Sequence, residues 1–464
     1  MNVMINPFSF NGPIGRITYA LWALPIFFAQ YGAGWLAGHA QGVSISNYDV
    51  FYAFPLRLLF ADQVGPKFGY ASQFFSLPMT LGGLAFMLLA CWTLAALTYR
   101  RALHARGGGW LAAAVLMPLL QLPVILVMCV VPPRQPSAEP LLDADRERKI
   151  AGWGGAAQGM IAGIALTLAA VALSALVFGA YGYGIFLASP FVVGGITGYL
   201  ANRAVPLNDR ETNRIVFRTG FFACLALMVT ALEGIGCLIM AAPLAAFAAM
   251  LGGIVGGDAA RRKRAGLVSS VAVLPIIFAL EAAFPPSLVF GTEQTIAIAA
   301  SPDRVWSAIV RMETIKEPIA LIHHIGIAYP VRGRVFGEGV GALRYGDFST
   351  GTAVERVTEW EVNRKLTFVV LRDIPGLREL SPYRHVHAPH VHGYFTTRET
   401  SFELIPRADG VTELVERTSH ELRLDPALYW LPFARFMVDT NNARVLRHIK
   451  EQAERSMVAS SPSP

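Results

Sequence analysis

The sequence predicts a multi-pass α-helical membrane region followed by a water-soluble α+β domain. Residues 152–200 contain no Asp, Glu, Lys or Arg. They hold about two of the ~20-residue apolar stretches that a helix needs to cross a hydrocarbon core of about 30 Å. Only 15% of the 464 residues are charged, against about 25% in an average soluble domain. From Gly291 onward the apolar residues alternate as in β-strands, which marks a different kind of domain.

Apolar segments of helical length predict about eight membrane helices. Proline followed by charged residues marks a boundary between two groups of these helices. We therefore divide the chain into a membrane domain at 1–133, a charged linker at 134–151, a second helical membrane domain at 152–286 and a soluble domain at 291–457. The apolar segments are 17–36, 77–97, 110–131, two within 152–200 that separate near Gly179, two within 215–255 that separate near Glu233-Gly234, and 267–284.

The basic loops leave the orientation of the chain open. Lys and Arg collect on the cytoplasmic side of a membrane, and they cluster here at 100–106, 134–149, 203–218 and 261–264. If every apolar segment crosses once, the first of these loops lies opposite to the other three. The C-terminal domain contains no cysteine and hence no disulfide typical of exported domains, which slightly favours a cytoplasmic position for it.

Two motifs near the N-terminus carry a family resemblance. The first is Phe8-Ser9-Phe10-Asn11-Gly12 followed by Ile14-Gly15-Arg16, and the second is Arg100-Arg101-Ala102-Leu103-His104. With them, the first 133 residues resemble the bacterial inner-membrane domain of unknown function 805 family, although Pro13 and Ala105 replace an Arg and an acid of its motifs. The resemblance implies an inner-membrane location but no chemistry.

The C-terminal part begins with a strand, a capped helix and a series of further strands. Ser301 precedes Pro302 at the start of the helix, which is a common helix-start signal. Together with the segment 300–306, Glu359-Trp360 and a long last helix at about 426–457, this order resembles the SRPBCC superfamily, also called START-like or polyketide cyclase/dehydrase-like. The resemblance implies a helix-grip fold, in which a curved antiparallel sheet and a long C-terminal helix enclose an apolar cavity for lipids or other hydrophobic molecules.

Large apolar side chains of this domain are candidates for the walls of that cavity. The same side chains could equally be ordinary core residues. The candidates are Trp306, Tyr345, Phe368, Phe402, Tyr429, Trp430, Phe433 and Met437.

A run of histidines at 384–392 is the densest polar cluster. We assign Arg384, His387 and His390 to the head group of a ligand. The alternatives are a loop of hydrogen-bonded imidazoles, or a metal site, because imidazoles at i and i+2 share a face of an extended segment. A third ligand could come from His420, Glu403 or Asp373, but no metal-binding motif is present, so we predict no metal and no cofactor.

These features predict a membrane protein that binds a hydrophobic or lipid-like ligand at the membrane surface, as a sensor, carrier or lipid-handling module. Two alternatives stay open: a cyclase- or hydrolase-like enzyme that uses the 384–392 cluster, and a membrane scaffold or transporter accessory with a protein partner. The expected partners are the bilayer and the ligand. At a net charge of +7 and without a basic patch with interleaved aromatic residues, nucleic acid is not an expected partner.

Overall fold

The computed structural model describes residues 6–40, 77–105, 110–116, 118–133, 140–230, 232–263, 266–380, 391 and 393–458. The chain divides into two compact units. The first lies within residues 1–282 and is called the helical unit, and the second begins at Ala283 and is called the sheet unit.

Within the described residues, three helical segments of the helical unit are long and apolar enough to cross a membrane: Gly152–Ala175, Gly184–Ala204 and Ile235–Arg261. The sequence-based expectation of about eight such helices is therefore too high for the described part of the chain. The helices are α1 (Arg16–Ala40), α2 (Leu77–His104), α3 (Leu111–Ala114), α4 (Pro118–Val130), α5 (Pro140–Ala172), α6 (Ser189–Ala204), α7 (Asp209–Val229), α8 (Ile235–Arg261) and α9 (Leu274–Ala283).

Both predicted chain reversals in the second half of this unit are confirmed. The first follows a short π-helix, Leu173–Phe178, and contains Gly179 with a φ of 60°, a left-handed conformation that glycine adopts without a Cβ penalty. The second lies between the end of α7 at Val229 and the start of α8 at Ile235. Residues 140–151 of the expected linker form the first turns of α5.

Glycines bring α6 and α8 into backbone contact. A Cβ placed on Gly194 would lie 1.9 Å from the carbonyl oxygen of Ala249, and one on Gly256 would lie 1.9 Å from that of Gly195. Contacts this short exclude any side chain, because real Cβ atoms do not approach oxygen below about 3 Å. Small residues are what helices need to pack closely where the surroundings are apolar.

One end of the helical unit, here called the basic end, collects the arginines. Arg261 at the end of α8 donates to the carbonyl oxygen of Leu207 at 3.0 Å and pairs with Asp209 at 3.0 Å. The end of α6 and the start of α7 therefore lie beside the end of α8. Gly152 of α5 is at the same end, since a Cβ on it would lie 3.8 Å from Cβ of Val205.

The arginine pair of the second N-terminal motif also lies at the basic end. Tyr99, just before Arg100, packs with Ala157 and with Ala112 of α3, and its hydroxyl is 2.8 Å from where a Cβ on Gly154 would stand. Arg101 donates from Nε to the carbonyl oxygen of Met128 at 2.9 Å and from Nη2 to that of Val131. Residues 112 and 131 are thus both close to this arginine pair.

The predicted third span at 110–131 is therefore wrong. In this segment Gln121 donates a hydrogen bond to the side chain of Gln30, 2.9 Å long. Gln30 lies about four turns, or roughly 20 Å, into α1 from Arg16. The segment starts at the basic end as α3 and comes back to that end as α4. The return is shown by the Arg101 guanidinium, which donates to the carbonyl oxygens of Met128 and Val131.

The chain leaves the helical unit at the opposite end. The Glu281 carboxylate of α9 accepts a hydrogen bond from the backbone N–H of Gly184, 2.7 Å long, and Gly184 begins the segment that runs to the basic end through α6. A 3₁₀-helix at Gly266–Val273 precedes α9. At about 2 Å and 1.5 Å per residue, the two helices together extend about 31 Å.

The sheet unit is a seven-stranded antiparallel sheet in the order β1-β7-β6-β5-β4-β3-β2. Helix α10 (Pro302–Val310) follows β1, and helix α11 (Ala427–Val458) ends the described chain. This order and the long last helix match the predicted helix-grip architecture. The strands are β1 (Leu288–Ile298), β2 (Pro330–Phe336), β3 (Leu343–Phe348), β4 (Gly351–Glu361), β5 (Lys365–Arg372), β6 (Phe395–Pro406) and β7 (Thr412–Leu422); β2 had no sequence-based assignment.

Alternation along the strands places one apolar face under the helices. Ile298, Leu366 and Leu414 are fully buried on this inner face, and α10 and α11 cover them with Ile309 and Ile449, which are also fully buried. Helix α11 is held along its length by Gln294, which donates to the carbonyl oxygen of Asp439, and by Glu454, which accepts from the N–H of Ala299, both at 2.9 Å.

We expect Gly194→Val to destabilise the helical unit by roughly 3 kcal/mol, because the new side chain would overlap the α8 backbone. Gly220→Val is the matched control, since a Cβ on Gly220 meets nothing within 4 Å. The measurement is thermal unfolding of the full chain in detergent. Equal melting temperatures for the two variants would contradict the backbone contact.

Candidate ligand site beneath the C-terminal helix

Three of the predicted wall residues come together on the inner face of the sheet. Trp306 is 8%, Phe368 2% and Phe402 1% exposed, and all three belong to one buried cluster. The ring centroids of Phe368 and Phe402 are 6.2 Å apart, and Trp306 meets Trp360 edge-on at 5.2 Å. These rings form the apolar half of the inner face and pack with residues of α10 and α11 in the core of the sheet unit.

The other half of the inner face is polar. Alternate residues of a strand share a face, and the inner positions of β7 change from Leu414 to Glu416, Thr418 and His420. All of these polar side chains are buried. A β-strand that carries polar residues toward the core is unusual, because buried polar groups cost free energy unless they are hydrogen-bonded.

Arg344 and Glu355 face each other on β3 and β4 and form a buried ion pair. The two side chains are 9% and 7% exposed. The guanidinium carbon also lies 4.3 Å from the ring centroid of Phe368. Gly333 leaves the space for this guanidinium, because a Cβ there would lie 2.8 Å from its Nη2 atom.

Glu416 is the acid with the least compensation. Its side chain is buried, with 3% of the residue exposed, and burial raises the pKa of its carboxyl to about 8, although the positive charge of Arg344 lowers it. Among the described residues, neither Oε2 of Glu416 nor Nε of Arg344 has a hydrogen-bond partner. A carboxyl with this pKa is mostly protonated at neutral pH and can donate a hydrogen bond.

A hydrogen-bonded network continues from Thr418 to α11. The Thr418 hydroxyl lies 2.7 Å from that of Thr292 and 2.7 Å from Nε2 of His420. Asn442 of α11 donates to the Thr292 hydroxyl at 3.2 Å and to the Thr418 hydroxyl at 3.4 Å. Burial lowers the pKa of His420 to about 4, so its ring is neutral. This ring stacks on Phe395 at 5.3 Å.

Asp373, at the end of β5, is held by backbone donors. It accepts hydrogen bonds from the N–H groups of Thr397 at 2.7 Å and Ile374 at 2.8 Å. Burial raises the pKa of its carboxyl, and the two backbone hydrogen bonds lower it. These bonds engage both carboxylate oxygens of Asp373. In contrast, Oε2 of Glu416 has no hydrogen-bond partner within the described part of the chain.

The remaining predicted wall residues lie at different depths. Trp430 is buried in the first turn of α11. Tyr429, Phe433 and Met437 follow at four-residue spacing and form a neighbouring, partly exposed stripe, with Phe433 37% exposed. Tyr345 is on the outer face of β3 against Phe336, at 5.3 Å between ring centroids, so it does not line the inner face.

The predicted head-group residues Arg384, His387 and His390 lie outside the described residues. Their assignment stays a prediction. Of the additional metal ligands considered, Glu403 pairs with Arg417 on the outer face at 2.6 Å, whereas His420 is on the inner face and bonded to threonines.

Arg344, Glu355 and Glu416 were not singled out from the sequence. The available signal was the inner register of β7, since counting on from Leu414 places Glu416 toward the core. Sequence alternation alone could not identify Arg344 as its neighbour, because β3 and β7 are separated by three strands in the sheet.

No protein-family model matches this chain, and no curated protein matches it. Among solved structures, it is similar to the ZhuI aromatase/cyclase of Streptomyces sp. R1128 (15% identity, TM-score 0.25), covering 38% of this chain and 100% of that one. It is also similar to norcoclaurine synthase of Thalictrum flavum, with 10% identity and a TM-score of 0.24, over 38% of this chain and 97% of that one. A protein of Thermus thermophilus is similar at 16% identity and a TM-score of 0.25, over 37% of this chain and 100% of that one. The helix-grip assignment of the sheet unit rests on its own strand order, and the N-terminal resemblance stays a prediction.

We expect the sheet unit to lose stability between pH 4.5 and about 8, the unfolded and folded pKa values of Glu416. In this window the folded state holds a proton that the unfolded state releases, so Glu416 costs about 1.4 kcal/mol for each pH unit of increase. Glu416→Gln should remove that slope. The measurement is hydrogen exchange of β6 and β7 peptides in the full chain, corrected for intrinsic rates. Parallel pH profiles for the two proteins would contradict the raised pKa.

We expect Arg344→Met to destabilise the sheet unit by about 3–5 kcal/mol, because it leaves Glu355 buried without its partner. Adding Glu355→Leu should recover most of that loss, since no buried charge then remains unpaired. The double-mutant cycle is measured by hydrogen exchange of β3 and β4 peptides. Additive losses would show that the two side chains do not interact.

Proposed function

We propose that the protein binds a largely apolar, lipid-like ligand in its sheet unit and is anchored in a membrane by its helical unit. It would act as a sensor, carrier or lipid-handling module. The observation that supports the ligand site is the buried Glu416 carboxyl, which has an oxygen without a hydrogen-bond partner among the described residues. An unsatisfied buried polar group costs about 1–3 kcal/mol, so a ligand that supplies the missing partner is favoured.

The apolar half of the site provides the rest of the binding energy. Each CH₂ group that leaves water contributes about 0.8 kcal/mol. A hydrocarbon chain against the aromatic rings beneath α11 would therefore add several kcal/mol. The stripe of Tyr429, Phe433 and Met437 is partly exposed and offers an apolar approach to that region.

An enzyme is the second candidate, and Glu416 is the observation that favours it. A buried carboxyl whose pKa is about 8 is suited to donate a proton at neutral pH. Perturbed acids of this kind collect at catalytic sites. The reaction would then use the inner face of the sheet rather than the 384–392 histidines.

We also propose that the basic end of the helical unit is cytoplasmic and that the sheet unit is outside the cytoplasm of a bacterial inner membrane. Arg101, Arg203 and Arg261 belong to loops or helix ends at the basic end. Lys and Arg are enriched on the cytoplasmic side of a membrane. At the opposite end, residues 176–184 and 230–234 contain no Lys or Arg. The connection at 41–76 has two basic residues and two aspartates.

This orientation differs from the position that the absence of cysteine favoured. The conflict among the basic loops came from counting 110–131 as a single span. Because that segment returns to the basic end, the four basic loops no longer oppose one another, and the positive-inside rule then applies to all of them together. Helix α9 leads away from that end, and the sheet unit follows it in the chain.

We expect Thr400→Phe to weaken binding of an apolar fluorescent probe to the full chain about tenfold or more. Thr400 is 8% exposed on the inner face of β6, so the added ring takes the volume needed by the ligand. Ser401→Phe is the matched control, because consecutive strand residues point to opposite faces. Equal probe affinity for the two folded variants would count against the site.

We expect Val362→Cys to react with a membrane-impermeant maleimide in intact bacterial cells, and Arg262→Cys to react only after permeabilisation. Val362 is 62% exposed in the sheet unit, and Arg262 lies at the basic end. The background protein has Cys91, Cys129, Cys224 and Cys237 replaced by serine or alanine. The reverse labelling pattern would place the sheet unit in the cytoplasm.

A further inference from the structure

Charges on the inner face of the sheet are unequal in number. Arg344 is the buried guanidinium of this face, and Glu355 pairs with it directly. Glu416 is a second buried acid without a cation of its own. An unpaired carboxylate in a region of low dielectric is costly, so the acid is more stable as the neutral carboxyl.

The other cations near this region are engaged elsewhere. Arg417, next to Glu416 in sequence, points to the outer face and pairs with Glu293 at 2.8 Å. On α11, Arg444 donates to the carbonyl oxygen of Pro318 at 2.9 Å, and Arg435 lies over the ring of Phe290 at 5.6 Å. Thr418, the next inner-face residue of β7, is uncharged and accepts a hydrogen bond from the uncharged side chain of Asn442. Among the described residues, the cation that acts on the Glu416 carboxyl is Arg344, and Glu355 already pairs with it.

We propose that Glu416 binds an uncharged oxygen of the ligand, and that the site takes neutral amphiphiles such as long-chain esters, ketones or alcohols and excludes free fatty acids. This inference rests on the proposed ligand-binding function and specifies its ligand class. The protonated carboxyl donates one hydrogen bond to the ligand oxygen, and its carbonyl oxygen remains available to a hydroxyl donor. The hydrocarbon part of the ligand lies against the aromatic half of the inner face.

Electrostatics selects the neutral class over both charged classes. Because Glu416 is neutral, a ligand carboxylate would be a second negative charge beside Glu355 against the single charge of Arg344, which is unfavourable in low dielectric. A ligand ammonium would require Glu416 to ionise, and burying that additional pair of charges costs desolvation free energy on both sides. A neutral oxygen keeps the site at zero net charge, with the Arg344–Glu355 pair undisturbed.

The test uses the full chain in detergent with methyl parinarate as the fluorescent probe. Palmitic acid, methyl palmitate and hexadecylamine compete for it at neutral pH. These competitors share one hydrocarbon chain and differ in the charge of the polar end. We expect methyl palmitate to compete at least about tenfold better than either charged compound. In Glu416→Leu, affinity for the ester should fall about tenfold, and in Glu416→Gln, whose amide N–H also donates, it should stay within about threefold of the native value.

Each result has a distinct meaning. Stronger competition by palmitic acid or hexadecylamine would overturn the neutral class, and an unchanged ester affinity in Glu416→Leu would remove Glu416 as the contact. If the native protein and Thr400→Phe give the same probe signal, the probe does not bind on the inner face. That result would contradict the proposed function itself and not only the neutral ligand class. Hydrogen exchange of β7 peptides checks that each variant is folded.

Discussion

A carboxyl buried on the inner face of the sheet without a cation of its own is the constraint on which the proposed function of the sheet unit depends. In water, Glu416 would be an ordinary anion. Enclosed beneath α11, it holds its proton near neutral pH because a lone negative charge is poorly solvated there. The same burial makes an unsatisfied oxygen of this carboxyl costly, and in the proposed function a ligand oxygen would remove that cost by supplying the missing hydrogen bond.

The neighbouring Arg344–Glu355 pair compensates its buried carboxylate differently, because a guanidinium lies directly beside it. Arg344 is stabilised by Glu355, by the face of Phe368 and by the room that Gly333 provides. Buried pairs of this kind add little net stability over an apolar replacement, but they fix the arrangement of the side chains around them. Here Glu355 neutralises the charge of Arg344, which would otherwise stabilise the ionised form of Glu416. The polarity of the site is therefore a property of three strands together, β3, β4 and β7.

In the helical unit, close packing and arginine placement act separately. Glycines such as Gly194 and Gly256 allow backbone contact between α6 and α8, which fixes the relative position of those helices. The arginines determine which end of the unit carries positive charge. Arg101 contributes to packing as well as to charge. Its guanidinium binds the carbonyls at the end of α4, and its positive charge lies at the basic end.

Sequence alone determined what each segment is made of. The charge-free stretch 152–200 required apolar helices, the alternation after Gly291 required strands, and the signals at Ser301-Pro302 and Gly179 marked a helix start and a chain reversal. These properties depend on near neighbours in the chain. Aromatic residues such as Phe368 and Phe402 could likewise be assigned to the interior from their size and register.

Tertiary structure decided which segments return and which charges meet. Residues 110–131 have the length of a span, and only the hydrogen bonds from Arg101 to the end of α4 show that they turn back. Glu416 has an unremarkable sequence context, and its neutral state follows from burial under a helix and from a guanidinium already taken by Glu355. Both outcomes depend on contacts between residues far apart in sequence, and electrostatic and hydrogen-bond energies act through space rather than along the chain.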